Sequence, residues 1–320
     1  IIVGTPGRII DHLDRNRLDL SNVNMLVLDE ADRMLEMGFQ EHIDAIIDQT
    51  PHERQTLLFS ATFPEQIQSI AERIMYKPVM VKVESTHDNL TIEQHFYRIE
   101  DNQGRLEALR LLLLDKQPES AVVFCNTKRE TQQVADSLLE FGFSVLALHG
   151  DLEQRDRDQM LLQFANKSAR ILVATDVAAR GLDIDALDAV FNYHLAYDSE
   201  VHIHRIGRTG RAGSHGAAYS FFGENDGYKM AMIEEALNKD IVAATLPPLS
   251  ALNKAPLQAL MQTIQIEGGK KQKIRPGDIV GALTGDNGIE FNDIGKIKVT
   301  DIRAYVAVSR NVAQKAMSII

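Results

Sequence analysis

Residues 25–32 read Met-Leu-Val-Leu-Asp-Glu-Ala-Asp, four apolar residues running straight into a tetrad with three carboxylates. A run that short suits a strand buried on both faces of a parallel sheet. The same arrangement recurs along the chain. Thr56-Leu57-Leu58-Phe59 leads into Ser60-Ala61-Thr62, Ala121-Val122-Val123-Phe124 into Cys125-Asn126-Thr127, Ser144–Leu148 into His149-Gly150, and Arg170–Ala174 into Thr175-Asp176. Helical patterns lie between these runs, over 105–114, 130–141 and 154–164. Strand and helix in alternation predict an α/β doubly wound fold, whose ligands sit outside the carboxyl ends of the strands. The polar residues after each run therefore fall where a site would be.

Length and composition frame this pattern. The chain has 320 residues, 44% hydrophobic and 25% charged, enough apolar material for more than one core and too much for disorder. A lone cysteine, Cys125, excludes an intramolecular disulfide and points to a reducing, cytoplasmic setting. No apolar run approaches the roughly 18 residues of a membrane span. The net charge of −11 argues against a generally basic nucleic-acid coat. That charge is unevenly spread, however. Residues 270–320 hold nine Lys/Arg against five Asp/Glu, leaving 25 against 40 elsewhere. A shift of this kind marks a separate C-terminal module. The predicted organisation is a short first α/β domain over 1–84, a linker at 85–94, a second α/β domain over 95–245, a Pro-containing linker at 246–260, and a module over 261–320.

Each polar cluster carries a chemical expectation. A strand-end Asp29 can hold Mg²⁺ through water, and Glu30 can accept a proton from an attacking water. A solvated acidic turn at a helix start is the alternative reading of the same tetrad. His204-Arg205-Ile206-Gly207-Arg208-Thr209-Gly210-Arg211 spaces arginines at intervals of three, a device for neutralising a transferring phosphoryl group. Thr175–Asp183 supplies hydroxyl, guanidinium and carboxylate groups for phosphate and ribose, and Thr5-Pro6-Gly7-Arg8 could grip a backbone phosphate. His202 and His204 lack a third ligand, so zinc is not expected. Cys125 reads as a packing residue, and so do Met34 and Met37.

In their order, these motifs resemble the DEAD-box ATP-dependent RNA helicases: TPGR at 5–8, DEAD at 29–32, SAT at 60–62, VVFCNT at 122–127, HGDLEQRDR at 149–157, ATDVAARGLD at 174–183 and HRIGRTGR at 204–211. The resemblance implies two RecA-like parallel-sheet domains that use ATP and Mg²⁺ and act on RNA. It implies that Asp29 organises Mg²⁺, that Glu30 activates water, and that Asp32, Ser60 and Thr62 couple the nucleotide site to His204. Arg208 and Arg211 would reach the γ-phosphate and Asp183 the ribose. Thr5, Arg8, Gly150, Arg157, Thr175 and Arg180 would lie on or near the RNA backbone.

Residues 261–320 read as strand, helix, strand, strand, helix, an α+β pattern like an RNA-recognition motif without its last strand. Tyr305 is placed either to stack a base or to fill a half-buried core position. The segment with KIRPGDIVGALTGD at 273–286 and DIGKI at 293–297 resembles the RNA-binding domain of one bacterial branch of the family. That resemblance implies a large-subunit ribosomal RNA hairpin as target, pre-ribosomal particles as setting, and a monomer. Lys270, Lys271, Lys273, Lys296, Lys298 and Tyr305 are the candidate contacts, chosen for charge or stacking.

No G-x-x-x-x-G-K-[ST] loop occurs in the 320 residues, and the first residue is Ile1. The expectation is a fragment with a truncated first domain and an incomplete module. Such a polypeptide would by itself hydrolyse ATP negligibly and expose apolar surface. A helicase of cold response or RNA decay is the alternative enzyme, and a non-enzymatic RNA-binding protein the alternative class.

Overall fold

The computed structural model describes residues 1–60, 63, 65–82, 92–179, 186–210 and 216–320. The chain divides into two compact units, Ile1–Glu84 and Ser85–Ile320. Among the described residues, no helix is long and apolar enough to cross a membrane.

The first unit runs α1 (Pro6–Asp14), β1 (Met25–Leu28), α2 (Ala31–Glu36), α3 (Gln40–Asp48), β2 (Gln55–Leu58) and α4 (Glu65–Ile74). β1 and β2 pair in parallel, with Leu28 opposite Leu58. Met25 and Val27 stay about half exposed, so this sheet is covered on one side only.

The second unit contains two folded bodies. The larger runs β3 (Ile92–Arg98), α5 (Asn102–Lys116), β4 (Ala121–Phe124), α6 (Lys128–Glu140), β5 (Val145–Leu148), α7 (Gln154–Ala165), β6 (Ile171–Ala174), α8 (Asp176–Ala179), β7 (Ala189–Asn192), α9 (Ser199–Ile206), β8 (Gly216–Phe222) and α10 (Gly227–Leu237). Its six-stranded sheet has the order β3-β8-β7-β4-β6-β5, and every pairing is parallel. Alternate residues of the central strands feed separate cores on the two faces: Val123, Val173 and Phe191 on one side, Val122, Phe124 and Leu172 on the other. Fully burying each large apolar side chain contributes about 1.5–3 kcal/mol, which is why the central strands admit almost no polar residue. Thr127 and Asp198 cap α6 and α9 by accepting backbone N–H bonds from Glu130 and Val201.

The smaller body runs β9 (Met261–Ile266), α11 (Pro276–Thr284), β10 (Ile294–Val299), β11 (Ala304–Ser309) and α12 (Ala313–Ile319). Its antiparallel sheet has the order β10-β11-β9 and packs one face on a core of Ile264, Ile279, Leu283, Val306 and Val308.

Two features differ from the expected organisation. β3 begins at Ile92, inside the segment read as the first linker. Residues 246–260 are not a free tether: Leu246 and Leu252 pack on the core of the larger body, and Ala251 and Ala259 are buried. Of the packing expectations, Cys125 is fully buried, whereas Met37 is exposed.

Candidate functional site

In the first unit, the pairing of β1 and β2 continues past the strands and shapes the acidic turn. The Phe59 N–H donates to the Leu28 carbonyl (2.8 Å) and the Ala31 N–H to the Phe59 carbonyl (3.0 Å). This sets Asp29–Asp32 beside Phe59-Ser60, and the Asp32 N–H donates to Ser60 Oγ at 3.2 Å. Asp32 is buried, while Asp29 and Glu30 face solvent. The tetrad thus turns one carboxylate, Asp32, inward, where it accepts the Arg33 N–H at 3.0 Å, and leaves two exposed to solvent. Glu30 lies in the left-handed region (φ 49°, ψ 49°), a conformation costing a non-glycine residue about 1–2 kcal/mol. Asp29 Oδ1 accepts the Glu30 N–H at 3.0 Å, leaving its second oxygen available. No group of three or more His, Cys, Asp or Glu side chains able to hold a metal occurs among the described residues. A single hard carboxylate at a strand end still fits Mg²⁺, which keeps most of its water shell and takes phosphate oxygens. At the other end of the unit, Thr5 is the N-cap of α1, and its hydroxyl makes no capping bond. Arg8 pairs with Asp11 at 3.0 Å on the exposed surface.

In the second unit, the parallel sheet puts the residues after β4, β5, β6 and β7 on one edge. Gly150, exposed and with open space around its Cα, follows β5. Thr175 follows β6 and donates its N–H to the Leu148 carbonyl at 3.3 Å. His149 Nε2 meets Gln132 Oε1 at 3.0 Å. Arg157 on α7 is half-buried, and its Nε has no hydrogen-bond partner among the described residues. His204 and Arg208 are half-exposed at the end of α9. The Arg208 carbonyl accepts the Leu187 N–H at 3.0 Å, which pins the loop carrying its side chain. A Cβ at Gly216 would stand 2.0 Å from Thr209 Oγ1, so only glycine lets β8 pass this loop. Thr62, Arg180, Asp183 and Arg211 lie outside the described residues.

Spacing alone does not reveal the role of Arg205. It is fully buried and forks onto Asp176, with both bonds at 2.7 Å. It also donates to Asn192 Oδ1, the His194 carbonyl and Asn126 Oδ1, and lies over the Phe124 ring. Arg205 thereby ties α9 to the ends of β4, β6 and β7. The signal available in the sequence was helical phase, since Arg205 shares a face with buried His202 three residues earlier. His202 Nε2 meets Gln94 Oε1 at 3.1 Å, and burial, reinforced by Arg205, pushes its pKa down to about 4.

On the smaller body, Lys298, Tyr305 and Gln265 form one row across the sheet. Tyr305 is half-buried, and the three lysines at 270, 271 and 273 are exposed. The Lys270 and Lys271 N–H groups donate to the carbonyls of Thr300 and Asp301, both at 2.9 Å, which fixes this basic loop on the β10–β11 turn. Gly269 permits the approach, because a Cβ there would sit 2.3 Å from the Thr300 carbonyl oxygen. Lys296 and Lys298 instead line a cavity of about 860 Å³ shared with Glu119, Asp158 and Asp188 of the larger body. Arg303, absent from the sequence-derived contacts, pairs with Glu267 at 3.2 Å beside the basic loop.

Comparison with known proteins decides the family. Residues 1–70 match the DEAD/DEAH box helicase family, 104–213 the helicase conserved C-terminal domain, and 263–320 the DbpA RNA binding domain. The chain is 53% identical to the ATP-dependent RNA helicase DbpA of Escherichia coli over 316 residues, covering 99% of this chain and 68% of that protein. The chain is a member of the DEAD-box ATP-dependent RNA helicases. DbpA of Bacillus subtilis is 36% identical over 328 residues, again with 68% of its length covered, so the chain spans about two thirds of these helicases. Among solved DEAD-box structures, S. cerevisiae Dbp5 bound to RNA and ADP BeF3 matches with a TM-score of 0.66 and 30% identity, over 76% of this chain and 65% of that one. The parallel sheets are thus RecA-like helicase folds, and the small antiparallel body is a DbpA-type RNA-binding domain.

Proposed function

We propose that this DbpA-like helicase separates short RNA duplexes locally in ribosomal RNA during assembly of the large subunit, as a cytoplasmic monomer. The observation that carries the reading is the basic loop of the C-terminal body, Lys270-Lys271 with Lys273, held on a domain of the DbpA type beside an otherwise acidic chain. A tether of this kind supplies RNA affinity, while the acidic helicase core supplies motion.

The chemistry is divided along the chain. Bound MgATP supplies the phosphoanhydride whose hydrolysis drives the cycle. Asp29 would hold the metal, and Glu30 would take the proton of the attacking water. Asp32 and Ser60 brace the turn that carries both. Arg208 and Arg211 neutralise charge on the phosphoryl group, and Asp183 contacts the ribose. The groups for acid and metal precede residue 85 and the arginines follow it, so hydrolysis needs both domains. Thr5, Arg8, Gly150, Arg157, Thr175 and Arg180 track the RNA backbone. Contacts to phosphate and 2′-OH give this core little sequence preference, leaving target choice to the C-terminal domain.

These 320 residues hold no phosphate-binding loop, so RNA binding is the direct test on this polypeptide. It should bind a large-subunit ribosomal hairpin at least about tenfold more tightly than an unrelated hairpin of equal length. Equal affinity would remove the ribosomal reading. In the helicase bearing a phosphate-binding loop, Glu30→Gln should abolish RNA-stimulated ATP hydrolysis; unchanged turnover would refute the site.

A further inference from the structure

The seat of the C-terminal body on the larger one holds two charged walls face to face. Thr263 of β9 accepts a hydrogen bond from buried Asn166 (Nδ2, 3.1 Å) and shares one with Ser168 Oγ at 2.7 Å. The Met261 N–H donates to the Lys167 carbonyl at 3.3 Å. A strap leads into this latch, its Gln258 carbonyl accepting a bond from buried Arg170 at 2.6 Å. β9 is one edge of the three-stranded sheet and β10 the other. With β9 latched, β10 forms one wall of the 860 Å³ cavity and lines it with Lys296 and Lys298.

The facing wall belongs to the larger body. Asp158, Leu161, Leu162 and Ala165 stand at i, i+3, i+4 and i+7, so one face of α7 is turned to the cavity. Glu119 joins them from the loop before β4, and Asp188 from the loop before β7. Those loops lie at the amino ends of the parallel strands, across the sheet from the edge that carries the helicase motifs. Asp188 has a structural task, since its Oδ2 accepts the Ser120 N–H at 2.9 Å and hydroxyl at 3.3 Å. Asp158 takes only a bond from Gln154, and Glu119 has no hydrogen-bond or ion-pair partner among the described residues.

The cations continue outward from the cavity. Thr300, the residue after β10, receives the Lys270 N–H on its carbonyl, so the basic loop lies at one end of this strand. Lys298 and Lys296 carry its charge along β10 to the acidic wall. Among the described residues, neither lysine forms an ion pair. A compact space of 860 Å³ is about 12 Å across, close to the Debye length of about 10 Å at 0.1 M salt. The walls therefore attract each other without locking the ammonium groups in place.

We infer that Glu119 and Asp158 are an internal competitor for RNA. Their field draws the Lys296 and Lys298 ammonium groups and weakens the grip of both lysines on an RNA strand that follows β10 from the basic loop. The inference rests on the proposed RNA-binding role of the module.

Two measurements on this chain test it. A water-soluble carbodiimide joins a carboxylate to an amine as an amide, the carboxylate oxygen leaving in the urea. It should link Glu119 or Asp158 to Lys296 or Lys298, and a bound RNA hairpin should suppress the link. Absence of any such link, or a link indifferent to RNA, overturns the competition. In the second measurement, Glu119→Gln combined with Asp158→Asn should tighten hairpin binding about three- to tenfold at about 0.1 M salt. With Lys296→Ala and Lys298→Ala also present, the same two changes should alter affinity by less than about 1.5-fold. An unchanged affinity in the first background overturns the inference. So does equal tightening in both, which a general loss of negative charge would produce. The competition is indifferent to RNA sequence, so the gain should appear equally on an unrelated hairpin. If that hairpin binds as well as the ribosomal one and the gain persists, the ribosomal reading fails and the competition stands.

Discussion

Replacing Arg205 with alanine removes a buried cation and leaves behind the groups it satisfies. The side chain is 1% exposed, its partner Asp176 17%, and three further oxygens, on Asn126, Asn192 and His194, accept its N–H groups. Breaking a buried ion pair from one side costs about 3–5 kcal/mol, because the remaining charge stays desolvated. Lost contact with the Phe124 ring adds to this, so about 4 kcal/mol is a fair expectation, equivalent to roughly 8–16 °C in the melting temperature of a domain of this size. Arg205→Lys keeps the charge but loses the planar fork, and should recover only part of the loss. Arg205→Met with Asp176→Leu removes both charges and should cost far less than the two single changes together.

The chain supplies its own reporter for that domain. Cys125 is the only cysteine, fully buried at the end of β4, and burial pushes its thiol pKa well up. Its rate of alkylation across a urea series therefore follows opening of this sheet and no other part of the chain. Arg205→Ala should move the midpoint by the equivalent of about 4 kcal/mol. A shift below about 1 kcal/mol, or a double variant as unstable as the sum of the singles, would refute the assignment of Arg205 as the brace between α9 and the strand ends.

Other changes have equally direct readouts. His202 has a folded-state pKa of about 4 against 6.5 for the free side chain, so its contribution is complete above pH 6.5 and lost as pH falls from 6.5 to 4, by about 3 kcal/mol at most; His202→Gln should flatten the stability of the native chain over that window, and an unchanged pH profile would refute the origin of the loss. Gly216→Ala drives a Cβ against Thr209 and should destabilise the sheet by several kcal/mol, about 3 or more, read by the same thiol assay; a neutral effect would show that the loop before β8 can move aside. Exchanging Lys270 and Lys271 together for alanine should lower the salt dependence of hairpin binding by about 1.4–1.8 in log–log slope, and an unaltered slope would take both lysines off the phosphate backbone.

What the sequence disclosed and what it hid follow one physical division. Strands such as Val122–Phe124 and Leu172–Ala174 were legible because burial on both faces forces a continuous apolar run, and the polar residues after them were legible because sheet geometry puts those positions at a ligand edge. The strand, helix, strand, strand, helix order of the antiparallel body was legible, since alternation is a local signal. Arg205 was hidden by its own motif. Its neighbours at 208 and 211 shared its charge and spacing, and only the packing of α9 against β4, β6 and β7 decides that 205 points inward.

The segment 246–260 shows why composition misleads at a boundary. Leu246-Pro247-Pro248-Leu249-Ser250 has the prolines of a connector, yet Leu246 and Leu252 find the core of the larger body, and Gln258 spans Arg170 and Gly142. Prolines fit here because they reduce the entropy lost when a strap is fixed, as readily as they stiffen a linker. A flexible connector would let the basic module search for RNA independently of the helicase core. A strap ending in the Asn166–Thr263 latch makes the module an extension of the second RecA-like domain. The basic loop and the acidic second domain are thereby fixed in one body.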